Sequence, residues 1–276
     1  MIDGRTKLAG VMGWPVGHSR SPMLHNYWCR INGVNGAYLP LPTQPEHFSA
    51  ALKGLMAAGF RGVNVTIPHK EAAMRLCDDL TDTAKRAGAV NTVFFENGRI
   101  IGECTDGTGF CENLIAHGVK IQGRVMILGA GGAARAVAAA LLDRGCEVVI
   151  ANRTLERAEA LTAAMQGGEA VSWYDWPALL SGCSLLVNAT SLGMEGGSEF
   201  DWLPLLSQAG PHLCVADIVY TPRETPFLMA AQSKRLKTVD GLGMLIYQAR
   251  VGFRVWFGVE PKVDEDTFEL LAASLR

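Results

Sequence analysis

Three short stretches of the chain hold residue types that can do chemistry. Asn64-Val-Thr-Ile-Pro-His-Lys70 ends a strand-like run at Pro68 and delivers a lysine to the first turn of the next segment. An ammonium there can give a proton to an oxygen that gains negative charge, as a ketone oxygen does when hydride reaches its carbon. Cys104-Thr-Asp106-Gly supplies an acid at the junction between two halves of the chain. Ser19-Arg-Ser21-Pro22 sets two hydroxyls beside a helix start, where hydroxyl donors and the helix dipole together suit a carboxylate. Each also has a plainer reading. Lys70 fits a solvated lysine, Asp106 a cap for a helix over 107–117, and Ser21 an N-cap with Pro22 as the first helical residue. Asn91 fits an ordinary polar strand residue, and Gln248 a helix surface.

A second set of residues points to a dinucleotide. The apolar run Val125–Leu128 breaks into Gly129-Ala130-Gly131-Gly132-Ala133, ahead of a helical pattern. Glycines between a strand and a helix let backbone N–H groups meet a pyrophosphate with no Cβ in the way. About 20 residues further on, where an acid would accept from a ribose 2′-hydroxyl, stand Asn152, Arg153 and Thr154. Arg153, with Thr154 and Arg157 close by, suits a 2′-phosphate, so the cofactor read from these residues is NADP and not NAD.

Alternating strands and helices must position these groups. Leu8–Gly13, Ala37–Leu41 and Gly62–Ile67 read as strands, with helices after Ser21, from Glu46 and over Glu71–Leu76. Val90–Glu96 and Arg99–Glu103 flank Asn97-Gly98, a tight-hairpin signal, and read as an antiparallel edge of the same sheet. Past Thr105, Val125–Leu128, Glu147–Ala151, Leu185–Ala189, Cys214–Ile218 and Thr238–Val239 read as five parallel strands of a doubly wound sheet. Met244–Trp256 and Asp264–Leu275 are helical in pattern and have no strand of their own to cover. They are expected to return to the first domain. The expected fold class is α/β: an N-terminal α/β substrate domain (1–105 with 244–276) and a Rossmann-type NADP-binding domain (106–243).

Composition narrows the function classes. The 276 residues are 49% hydrophobic and 19% charged, with a formal net charge of −2, enough for two cores and without a basic stripe for nucleic acid. No run of about 18 apolar residues or signal-peptide core is visible, so a soluble, cytoplasmic protein is expected. Seven cysteines without a C-x-x-C pair argue against a disulfide framework, and six histidines show no metal-ligand spacing. The expected partner is a small-molecule substrate, with no nucleic acid, membrane or metal, and the assembly a monomer or homodimer.

Taken together, Gly17–Pro22, Asn64–Lys70, Ala89–Thr92, Thr105–Gly107, Gly129–Ala133, Asn152–Thr154 and Gly241–Leu245 resemble the shikimate dehydrogenase family, in its order and over nearly the whole chain. The resemblance implies Lys70 and Asp106 as the catalytic pair. It implies Ser19, Ser21, Thr66, Asn91, Tyr220 and Gln248 as substrate contacts, with the serines on the carboxylate. Ile218, Gly241 and Met244 would lie near the nicotinamide, and Asn152, Arg153, Thr154 and Arg157 would clamp the adenosine phosphate. The implied reaction is the reversible NADPH-dependent reduction of 3-dehydroshikimate to shikimate in aromatic amino acid biosynthesis. The family usually has asparagine before Thr-Asp-Gly, where this chain has Cys104, which cannot offer the same amide donor and acceptor. Quinate or another ring hydroxy acid is the rival substrate. Serine rather than threonine at position 21 leans toward shikimate. A ligand-sensing relative without turnover would lack a catalytic residue, and a folate-type dehydrogenase would not need the paired serines.

Overall fold

The computed structural model describes residues 2–194, 196 and 200–275. The chain forms two compact units, one of residues up to Thr105 together with Ile246–Ser274, the other of Asp106–Leu245. The first unit begins β1 (Lys7–Gly13), α1 (Ser21–Ile31), β2 (Gly36–Pro42), α2 (Phe48–Ala57), β3 (Gly62–Val65) and α3 (Lys70–Leu76). It continues through β4 (Asp79–Leu80), α4 (Asp82–Ala87), β5 (Thr92–Glu96) and β6 (Arg99–Glu103). The sheet order is β2-β1-β3-β5-β6-β4. β1 runs parallel to β2 and β3, whereas β5 is antiparallel to both β3 and β6. Asn97 and Gly98 take φ of 51° and 74°, the left-handed pair that a two-residue hairpin turn requires. This hairpin is not the edge of the sheet, contrary to expectation. β4 pairs outside β6, and two residues are too few to show the alternation by which a strand is read. The helix expected from Glu46 starts instead as a 3₁₀ turn over Pro45–His47, before α2.

The second unit contains α5 (Asp106–Ala116), β7 (Arg124–Leu128), α6 (Gly132–Leu142), β8 (Glu147–Asn152), α7 (Leu155–Met165) and β9 (Glu169–Ser172). β10 (Cys183–Asn188), β11 (Cys214–Asp217), α8 (Pro226–Ser233) and β12 (Lys237–Val239) complete its sheet. All strands are parallel, in the order β12-β11-β10-β7-β8-β9, so the winding reverses between β7 and β10. This is the doubly wound, Rossmann-type arrangement, with a sixth strand, β9, beyond the five expected. Glu169-Ala-Val-Ser172 is a half-exposed edge without an apolar run, which is why its sequence is mute. Alternate residues of each central strand serve opposite faces. Val125, Ile127, Val148, Ile150, Leu185 and Val187 pack with Val137, Leu141 and Leu161 of α6 and α7. Met126, Leu128, Val149, Leu186 and Val215 pack with Trp176, Trp202 and Phe227. Strands buried on both faces need continuous apolar runs, which is how they are visible in the sequence.

α9 (Leu242–Phe257) starts in the second unit and continues into the first, and α10 (Glu265–Ala273) follows it. In the first unit, Trp256 of α9 donates its indole N–H to the Val93 carbonyl at 3.0 Å. Around it lies an aromatic core of Trp28, Tyr38, Phe253 and His25, the last stacked on Tyr38 with ring centroids 4.0 Å apart. Complete burial pushes the His25 pKa down to about 3, so the ring is neutral at physiological pH. Asp264 caps α10 by accepting from the Thr267 N–H at 3.2 Å.

Candidate functional site

In the first unit, strand direction gathers the polar candidates at one sheet edge. β1 and β3 run the same way and end there. β5 runs against β3 and so begins there, and β6, reversed again, ends there. Ser19 and Ser21 therefore follow the end of β1, Thr66 and Lys70 follow β3, Asn91 precedes β5, and Thr105 follows β6. Arg20 takes the N-cap position of α1 without a side-chain cap bond. Ser21, expected as the cap, is instead the first helical residue, and its N–H donates to the Ser19 hydroxyl at 3.3 Å. The turn after β1 closes locally through the Ser19 N–H to the Val16 carbonyl, which moves the cap one residue back. Lys70 is the first residue of α3 and is half-buried. Behind it, His69 is fixed by a 2.8 Å contact to the Thr43 carbonyl and by stacking on Phe48.

A continuous chain of neutral hydrogen bonds runs beneath this edge. The Ser21 hydroxyl bonds the Tyr38 phenol, which donates to Asn64 Oδ1 at 2.6 Å. Asn64 Nδ2 donates to Thr92 Oγ1 at 3.0 Å and to the Asn91 carbonyl at 3.2 Å. Asn91 Oδ1 accepts from the Thr105 N–H at 2.9 Å, and its Nδ2 donates to Thr105 Oγ1 at 3.1 Å. The Thr105 hydroxyl reaches Gln248 Oε1 of α9 at 3.3 Å. Asn64, Asn91, Thr92 and Thr105 are all buried. Satisfied polar groups at this depth fix side-chain directions, and with them the edge they serve.

In the second unit the strand ends again share an edge, the ligand side of a doubly wound sheet. Gly129 has φ of 103°, a left-handed conformation that a Cβ would strain, and a Cβ there would lie 3.0 Å from Thr190. Its N–H donates to the Ala151 carbonyl at 2.8 Å. Gly131 is the N-cap of α6, and added Cβ atoms at Gly131 and Gly132 would meet nothing within 4 Å. That open space over uncapped helix N–H groups is the cradle a pyrophosphate needs. Ala130 and Ala133 keep the same turn free of bulk. At the end of β8, Asn152 Nδ2 donates to the Thr154 carbonyl at 2.7 Å and folds the turn into α7. Thr154 is the N-cap of α7 with no side-chain cap bond. Arg153 and Arg157 are exposed, and their side chains make no hydrogen bond or ion pair among the described residues. Two free guanidiniums and a free hydroxyl at a helix N-terminus fit a phosphomonoester on the ribose.

Past β11, Ile218 donates its N–H to the Asn188 carbonyl at 3.1 Å and is half-buried. Gly241 lies so close that an added Cβ would be 2.4 Å from the Ile218 carbonyl oxygen. Met244 is 9% exposed and joins the core below. Tyr220 belongs to this second unit, whereas the other proposed substrate contacts, Ser19, Ser21, Thr66, Asn91 and Gln248, belong to the first.

Sequence models agree with both halves. The "Shikimate dehydrogenase substrate binding domain" matches residues 11–93. "Shikimate / quinate 5-dehydrogenase" matches 114–199, and "Shikimate 5'-dehydrogenase C-terminal domain" matches 241–265. A shikimate dehydrogenase (NADP(+)) of Gluconobacter oxydans is 75% identical over 276 residues, covering 100% of this chain and 99% of its own. The chain belongs to the shikimate dehydrogenase family. Among solved members, the shikimate 5-dehydrogenase of Thermus thermophilus in complex with NADP(H) and shikimate superposes with a TM-score of 0.87. It is 38% identical and covers 98% of this chain and 100% of that one. A quinate dehydrogenase of Corynebacterium glutamicum in complex with NAD gives 0.86 at 31% identity, over 97% and 99% of the two chains.

Several buried polar residues at these edges escaped the sequence reading. Tyr38, Thr92 and Thr105 sit inside strand-like or motif stretches where a hydroxyl looks incidental. Asn64 opens the run that delivers Lys70, but no sequence signal showed its amide bonded on both sides. Asp217 is buried in β11 with three hydrogen-bond donors around it. Its readable signal is an acid enclosed by apolar neighbours in Cys-Val-Ala-Asp-Ile. The described residues include no cluster of three or more His, Cys, Asp or Glu able to hold a metal ion. They also include no helix long and apolar enough to cross a membrane.

Proposed function

We propose that this chain is an NADP-dependent shikimate dehydrogenase that interconverts 3-dehydroshikimate and shikimate. The observation that carries the reading is the pairing of a lysine-bearing sheet edge with a dinucleotide cradle whose two arginines are free for a 2′-phosphate. Support comes from 75% identity to a relative that bears this activity as its name. When bound, NADPH supplies the hydride. The protein does the rest. Ser19 and Ser21 hold the substrate carboxylate at the start of α1, while Thr66, Asn91, Tyr220 and Gln248 bond the ring hydroxyls. Lys70 gives its proton to the oxygen that the hydride makes negative, and Asp106 orients that ammonium and the hydroxyl it forms. Gly129–Ala133 receive the pyrophosphate. Asn152, Arg153, Thr154 and Arg157 hold the phosphorylated ribose, while Ile218, Gly241 and Met244 form the seat for the nicotinamide.

The same reading puts the chain in the cytoplasm, as a monomer or homodimer. Free cysteines throughout, six of the seven buried, suit a reducing compartment. The test is to supply NADPH with 3-dehydroshikimate and to identify the product as its absorbance falls. Stoichiometric shikimate is expected. No NADPH consumption, or a product other than shikimate, overturns the reading.

A further inference from the structure

We propose that Asp217 is a positioning residue for hydride transfer, because its carboxylate ties the end of β10 and the start of α8 to the segment that carries Ile218 and Tyr220. This rests on the reading of Ile218 as part of the nicotinamide seat. Asp217 ends β11 at the ligand edge of the second sheet, with 2% of its surface exposed. Oδ1 accepts from Asn188 Nδ2 at 3.0 Å and from the Val219 N–H at 3.0 Å. Oδ2 accepts from the Thr225 hydroxyl at 2.7 Å.

Each partner fixes a different piece. Asn188 ends β10, and its side chain also reaches the Leu192 carbonyl at 3.0 Å and accepts from the Thr190 N–H at 3.1 Å. Thr225 is the N-cap of α8 and takes the Leu228 N–H at 3.3 Å. Val219 immediately follows Ile218. Residues 218–225 are therefore held at their start and their end by one buried side chain. The Ile218 carbonyl that this fixes is the surface on which Gly241 packs, with no room for a Cβ. The bonding is geometric. An amide could reproduce it, with Oδ1 accepting twice and Nδ2 donating to Thr225 Oγ1.

The test compares Asp217→Ala and Asp217→Asn with the wild type. It measures kcat, KM for shikimate, and the inhibition constant of 2′,5′-ADP, which carries the 2′-phosphate end of the cofactor but no nicotinamide. Asp217→Ala is expected to lower kcat at least about tenfold, since a misplaced reactant of about 1 Å can cost up to 10²-fold. The 2′,5′-ADP constant should stay within about twofold, whereas the KM for shikimate should rise because Tyr220 lies on the displaced segment. Asp217→Asn should restore most of kcat. A folded Asp217→Ala enzyme whose 2′,5′-ADP inhibition weakens as much as its kcat falls overturns the proposal, as does an Asp217→Ala enzyme with wild-type kcat. If Asp217→Ala does not fold, Thr225→Val takes its place. Lowered kcat with unchanged 2′,5′-ADP inhibition supports the role, and unchanged kcat overturns it. Wild-type protein that binds 2′,5′-ADP but does not turn over with NADPH overturns the reading of the reaction and the positioning role with it.

Discussion

At the scale of single residues, the proposed chemistry divides between one cation that moves a proton and two that hold a phosphate. Lys70 opens α3, the helix that follows β3. Lys70→Ala is expected to lower kcat by roughly 10²- to 10⁴-fold, the usual contribution of a placed general acid. NADPH affinity, read by fluorescence titration, should hardly change. Near-normal turnover would remove Lys70 from the mechanism. For the cofactor, one lost charge-assisted bond at Arg153 is worth about 1.5 to 3 kcal/mol. Arg153→Ala should therefore weaken NADPH binding roughly 10- to 150-fold and leave NADH binding almost unaltered. Equal losses for both cofactors would place Arg153 elsewhere.

Asp217 gives a residue-scale prediction of a different kind. Burial raises its pKa to about 6 from the ordinary 3.8, although three hydrogen bonds pull the other way. The folded protein thus binds the Asp217 proton more tightly than the unfolded chain does. That contribution to stability is complete below pH 4 and is lost as pH rises through 6. Measured by denaturant unfolding, the stability of Asp217→Asn minus that of the wild type should climb between pH 4 and 7, by up to about 3 kcal/mol. A difference that stays constant over that range would contradict this account of the buried carboxylate.

At the scale of elements, close packing of backbone on backbone decides what the ligand edge looks like. α5 crosses α6 where Gly107 approaches Ala136, and a Cβ there would sit 2.3 Å from the Ala136 carbonyl oxygen. Gly107→Ala should force the helices apart at about 1 to 3 kcal/mol, seen as a lowered Tm. Since Asp106 is the preceding residue and opens α5, kcat should fall with it. A variant with wild-type Tm would show that α5 and α6 can give at this point.

Elements also show why some structure was legible and some was not. The central strands of the second unit announce themselves, because burial on both faces demands runs such as Val125–Leu128. The glycine turn after β7 is equally plain, since only small residues leave space above the start of α6. β4 and β9 are short, half-exposed edges with no pattern to read. The hydrogen-bond chain from Ser21 to Gln248 joins six stretches far apart in sequence. No local spacing could reveal Tyr38 against Asn64, or Thr105 against Asn91, until strand direction brought them to one edge.

At the scale of the whole molecule, the catalytic direction has a pH signature. In the proposed mechanism, oxidation of the alcohol requires the neutral amine of Lys70 to accept a proton, so its rate should rise with pH above neutrality when chemistry limits turnover. A flat profile under that condition would argue against lysine as the base. The choice of substrate and cofactor belongs to this scale too, since the proposed substrate contacts lie mostly in the first unit and the proposed cofactor contacts in the second. The most direct measurement is therefore kcat/KM for shikimate and quinate, each with NADP+ and NAD+, on the wild-type protein. Shikimate with NADP+ should exceed each of the other three pairings by at least about tenfold. Comparable rates with NAD+, or a preference for quinate, would contradict the account.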